Sequence, residues 1–169
     1  HAHVEDLAER PLAESVLRQG ITTVVYAPDG GMPLPLSAGI ARLKASGHSP
    51  NTAFFAGHNT IRQRVMGSAN RAPTPDELNR MKALVEQAMN EGAIGLSTGL
   101  RYVPGIYSTT EEVIELAKVA AAHGGILDKL AFTGIKRWDL GVYTLIVFGL
   151  LMFILAKFAW PHIKAGLEK

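Results

Sequence analysis

The chain opens on two histidines, His1-Ala2-His3. On a strand, side chains two positions apart leave from one face, about 7 Å apart along the backbone. Two imidazoles so placed suit two ligands of one metal ion. There are no cysteines among the 169 residues, which excludes disulfides, thiolate metal sites and a thiol nucleophile. The formal net charge is only +2, and the basic residues do not gather into a stripe. That balance argues against a nucleic-acid partner.

The elements that must carry these groups read as alternating strands and helices. Pro11 to Gln19 has a short helical pattern closed by Gly20. ITTVVY, residues 21–26, is apolar and β-branched, as a buried parallel strand requires. A helix over Leu36–Ser46, a second strand TAFFA at 52–56 and a third, AIGLS, at 93–97 follow the same logic. Thr74-Pro75-Asp76-Glu77 carries a capping box with proline at the first helical position. Leu78, Met81, Leu84, Val85 and Ala88 are the expected buried stripe of that helix. Thr109 and Glu112 repeat the capping box, ahead of a stripe of Val113, Leu116, Ala117 and Ala120. Repeated β-then-α with buried strands means a parallel sheet covered by helices. A further strand is expected at Ile126 and does not develop.

The run HAHVEDLAERPLAESVLRQGITTVVYAPDGG resembles the D-aminoacylase (N-acyl-D-amino-acid deacylase) family of the amidohydrolase superfamily. The resemblance continues through GHNTIRQRVMG at 57–67 and GAIGLSTGLRYVPGIYSTTEE at 92–112, and it fades near residue 126. It implies a TIM-like (βα) barrel in which zinc activates water against an amide carbonyl and a carboxylate passes the proton to the leaving amine. The positions matching His1 and His3 are metal ligands in that family. Asp29 stands near a position that is a cysteine ligand in some members. It offers an oxygen ligand, and equally reads as a turn residue before two glycines. His58 follows a strand, where it either lines the active-site mouth and touches substrate or caps the next helix. Arg101 and Tyr102 fall in a βα loop and are expected to touch substrate. His123 sits in the last turn of a helix and needs no chemical role. The remaining ligands and the catalytic aspartate of the family belong to later strands, so no catalytic residue is assigned. An incomplete barrel of five strands at most would leave an open edge.

The rest of the chain has a different character. LGVYTLIVFGLLMFILA, residues 140–156, holds no charge. From Leu140 to Trp160, as one helix, the run would extend roughly 31 Å, close to a bilayer core. Leu140, Phe148, Leu151, Phe153 and Trp160 are the expected membrane-spanning residues, with Lys157 near one end where it can reach the headgroups. WDLGVYTLIVFGLLMFILAKFAWPHIKAGLEK also resembles the membrane anchor of F-type ATP synthase subunit b, a stalk component that performs no chemistry. That resemblance implies lipid and the ATP synthase membrane sector as partners.

The expected architecture is α/β, an incomplete TIM-like barrel followed by a single transmembrane α-helix. The expected divisions are residues 1–126, a junction at 127–137 and an anchor at 138–169. The two resemblances together imply a chimera joined near 126–132. They place the parent of the first part in the cytoplasm and the second part in a membrane. No signal peptide is visible, and the opening His1 suggests numbering that begins inside a longer product.

Overall fold

In the computed structural model of the chain, residues 3, 6–123, 146–153 and 157 are described. Parallel pairing organises the first part. Strand β1 (Thr23–Tyr26) pairs with β2 (Asn51–Phe54), in register from Thr23↔Asn51 to Tyr26↔Phe54. Strand β3 (Ala56–Gly57) pairs with β4 (Leu96–Ser97), Ala56 opposite Leu96. Only Phe55 separates β2 from β3, and the backbone changes neighbour there. Phe55 N–H donates to the Tyr26 carbonyl at 3.2 Å, and the Phe54 carbonyl accepts from Ile94 N–H at 2.8 Å. The segment from Asn51 to Gly57 therefore runs between β1 and β4.

Helix α1 (Glu14–Leu17) precedes β1, α2 (Leu36–Ser46) follows it, α3 (His58–Met66) and α4 (Pro75–Asn90) follow β3, and α5 (Thr110–Ala122) follows β4 after a 3-10 turn at Gly105–Tyr107. The core joins Val24 and Phe54 of the strands to Leu43 of α2, Ile61 of α3, Val85 of α4 and Leu116 of α5, all at most 6% exposed. Helix α4 starts on a complete capping box. Thr74 Oγ accepts from Glu77 N–H, and the Glu77 carboxylate accepts from Thr74 N–H at 2.8 Å.

Four expectations need correction. The helix expected over Pro11–Gln19 is a single turn, α1, because Ala13 takes a left-handed conformation (φ 46°) just before it. The strand expected at 21–26 begins at Thr23, and Ile21 is 40% exposed. AIGLS pairs as a strand only at Leu96–Ser97. The second capping box is half formed: Thr109 Oγ accepts from Glu112 N–H, but the Glu112 carboxylate turns into the interior. As a result Glu112 joins Leu116 and Ala120 on the buried face, and Ala117 is exposed.

The chain divides into two compact units, His1–Lys129 and Leu130–Lys169. Within the second, residues 146–153 are helical, and their seven large apolar side chains are 51% to 60% exposed. Lys157 Nζ lies 5.5 Å from the centre of the Phe153 ring. No helix among the described residues is long and apolar enough to cross a membrane. Phe148, Leu151 and Phe153 lie in this helix. Leu140, Trp160, the junction at 127–137 and the strand expected at Ile126 lie outside the described residues.

Candidate active site

Strand β1 ends in a sharp change of direction. Ala27 takes a left-handed conformation (φ 66°), which costs an L-residue about 1–2 kcal/mol. The turn brings Asp29 and Gly30 over the ends of β3 and β4. Gly30 N–H donates to Ser97 Oγ at 3.2 Å, the Ser97 hydroxyl donates to the Ala27 carbonyl, and Thr60 N–H donates to the Gly30 carbonyl at 3.0 Å.

A cleft of about 500 Å³ opens beside this turn. Its floor is apolar, with Met32, Leu43 and the stacked rings of Tyr26 and Phe54, whose centres are 5.0 Å apart. His3, Asp29, Asn59 and Tyr102 stand around it. His3 Nε2 lies 3.3 Å from Asp29 Oδ2, with both side chains partly exposed. Arg42, also on the cleft, is paired with Glu9. The structure therefore brings His3, Asp29 and Tyr102 to one cleft. Arg101 is exposed beside Tyr102 and does not line it. His1 lies outside the described residues.

His58 neither lines this cleft nor caps α3, whose N-cap is Gly57 with no side-chain cap. The His58 side chain is fully buried. Nδ1 is 2.8 Å from the Thr98 hydroxyl, and Nε2 is 2.9 Å from Glu112 Oε1. Arg62, also fully buried, binds the other Glu112 oxygen and donates to the Arg71 carbonyl at 2.7 Å. Burial alone would raise the Glu112 carboxyl above its ordinary range. Hydrogen bonds from His58 and Arg62 outweigh that and hold it below. Arg62 Nε is the one buried side-chain polar atom without a hydrogen bond among the described residues. The sequence reading missed Arg62 and Glu112 as buried charges. The only available signal was an arginine one helical turn after His58, on the same face of α3.

Zinc suits the donor types on the cleft, an imidazole nitrogen and a carboxylate oxygen. A catalytic zinc nevertheless takes three protein ligands and a water. Among the described residues no group of three His, Cys, Asp or Glu side chains is placed to hold a metal. His3 and Asp29 alone do not complete such a site.

No protein-family model matches the chain. Curated relatives do. A D-aminoacylase of Alcaligenes xylosoxydans xylosoxydans is 46% identical over 84 residues, covering 50% of this chain and 17% of its own length. An N-acyl-D-glutamate deacylase from the same organism is 34% identical over 150 residues, covering 75% of this chain and 30% of its own length. Among solved structures, a D-aminoacylase mutant in complex with copper chloride superposes with a TM-score of 0.66 at 33% identity, over 74% of this chain and 31% of that one. The N-acyl-D-glutamate deacylase of Bordetella bronchiseptica, solved with zinc and a phosphonate inhibitor, gives 0.64 at 33%, over 70% and 30%.

The chain is homologous to the N-acyl-D-amino-acid deacylases.

It spans less than a third of the length of the curated deacylases it matches. Over 70% to 74% of this chain, its α/β fold is similar to part of a D-aminoacylase. None of these relatives and structures is an ATP synthase subunit, so neither that resemblance nor a chimera gains support from them.

Proposed function

We propose that the first unit is part of the catalytic barrel of a metal-dependent amidohydrolase acting on N-acyl-D-amino acids. His1, His3 and Asp29 are its metal ligands, and Arg101 and Tyr102 its substrate-side loop. The observation that carries this reading is the meeting of His3 and Asp29 at 3.3 Å on a cleft with an apolar floor. An imidazole and a carboxylate are ordinary zinc donors, and an apolar floor suits an acyl or aliphatic group. Even with His1, these side chains lack the later ligands and the catalytic aspartate that the resemblance implies, so the chain alone is expected to bind zinc weakly and to catalyse nothing. Zinc titration followed by calorimetry tests the pair. Weak binding that disappears in both His3→Ala and Asp29→Ala supports it. Binding unchanged in both variants places the metal elsewhere and removes the basis for the reading.

A second reading applies to the second unit. We propose that residues 140–160 sit in a membrane as a single-pass anchor, in the manner of a stalk subunit of ATP synthase. The observation favouring it is the helix at 146–153, whose large apolar side chains are exposed on every side. Lipid covers such a surface evenly, whereas a protein partner covers one stripe.

A further inference from the structure

Two separate segments, the turn after β1 and the loop after β4, converge on one side chain. Asn59, the second residue of α3, is 8% exposed. Its Nδ2 donates to the Gly99 carbonyl at 3.0 Å, and its Oδ1 accepts from Gly99 N–H at 3.2 Å. This reciprocal pair copies the exchange between two strands at a point where β4 has already ended. On its other sides Asn59 packs so closely that no side chain would fit. A Cβ on Gly30 would lie 2.5 Å from Asn59 Oδ1, and one on Gly105 would lie 2.7 Å from it. Gly99 in turn is wedged between the Asp29 carbonyl and the Tyr102 ring.

We propose that Asn59 is a positioning residue, a clamp that joins the turn after β1 to the loop after β4, so that Asp29 and Tyr102 face the cleft as one rigid unit. The link to catalysis rests on the deacylase reading above; the clamp itself does not. Its physical basis is that the NH2 and the C=O of the Asn59 amide both bond one backbone residue, which fixes the orientation of the side chain. The loop it holds exposes Leu100, Tyr102, Val103 and Ile106, each 49% to 57% exposed, so little apolar burial fixes it in place. Besides Asn59, it is held by its own turn bonds, such as Ile106 N–H to the Tyr102 carbonyl at 2.9 Å, and by Arg62 on the Tyr107 carbonyl.

Amide hydrogen exchange on the full chain tests the clamp without metal or substrate. In Asn59→Ala, exchange across residues 99–107 should quicken about tenfold, while α4 keeps its protection. Asn59→Asp should do the same, because a carboxylate cannot donate to the Gly99 carbonyl. Gly105→Ala reaches the clamp from the opposite side and should also loosen residues 99–107. Unchanged exchange there, or a rise shared equally by α4, overturns the proposal. Zinc affinity measured on the same variants reads the catalytic link. It should fall several-fold in Asn59→Ala, and an unchanged affinity would show that the clamp does not position Asp29. Absence of zinc binding in the parent chain would sink the deacylase reading and leave the exchange result standing.

Discussion

His58 Nε2 and Glu112 Oε1 lie 2.9 Å apart with neither side chain exposed, although 54 residues separate them in the sequence. The contact ties the first turn of α3 to the first turn of α5. Glu112 also binds Arg62, so one carboxylate holds two partners from one helix. Removing one member of such a group leaves a buried charge with no counterpart. Glu112→Gln should therefore destabilise the chain by about 3–5 kcal/mol, against a small effect of Glu111→Gln on the exposed face. Urea unfolding followed by circular dichroism measures both. Equal, small losses would mean that the cluster contributes nothing to stability.

The same carboxylate sets an acid limit. Its folded-state value lies below the ordinary 4.5, with burial opposed and outweighed by His58 and Arg62. A depressed carboxyl contributes stability that is present above its unfolded value and lost as pH falls through the folded one. The unfolding midpoint should hold between pH 7 and 5 and fall below about 4.5. In Glu112→Gln, that fall should be shallower. A parent chain more stable at pH 3 than at pH 6 would contradict the assignment.

The two T-x-x-E motifs show how far the sequence can be read. Thr74 and Glu77 form a complete box, with Glu77 solvated and paired to Arg71. Thr109 and Glu112 have the same spacing, but the glutamate is drawn inward by His58 and Arg62. The T-x-x-E spacing is the same in both cases, but for Glu112 residues fifty positions away decide the outcome. The βα alternation and the α4 stripe were legible for the opposite reason, since periodicity and capping are local. The meeting of His3 with Asp29 was open to either a ligand or a turn reading, because the path of the chain after β1 depends on Ala27, and alanine gives no sign of a left-handed turn.

Ala27 itself can be tested. With φ at 66° it pays a conformational cost that glycine avoids, although glycine loses more entropy on folding. The difference leaves Ala27→Gly more stable by up to about 1 kcal/mol. Thermal unfolding should show a higher midpoint in this variant. A clear loss of stability would mean that the methyl group's packing against the core outweighs the relief of strain.

Catalysis should be absent from the chain by itself. His3 and Asp29 are two donors, and no third joins them among the described residues. Hydrolysis of an amide needs a closed ligand set, an open position for water and a group that carries the proton. Purified chain supplied with zinc should release no amino acid from N-acyl-D-amino acids above the buffer rate. Turnover that co-purifies with the chain and vanishes in His3→Ala would overturn this expectation.

The second unit makes the most direct demand on its surroundings. Ile146, Val147, Phe148, Leu150, Leu151, Met152 and Phe153 are each at least half exposed, over more than two turns of helix. Exposed to water, seven such side chains cost on the order of 1.5–3 kcal/mol each, which no isolated helix of this length can offset. In lipid the cost disappears, and the uncharged run from Leu140 to Ala156 supplies enough residues to approach the thickness of a bilayer core. Residues 127–169 fused to a reporter should stay with the membranes through alkaline carbonate extraction. Replacing both Leu150 and Leu151 by aspartate places two acidic groups near the centre of the run, each costing about 2.5–3.5 kcal/mol on insertion, and should release the fusion. Recovery of the parent fusion in the soluble fraction would defeat the anchor assignment. Retention of the double variant would mean that the segment is held by something other than the hydrocarbon core.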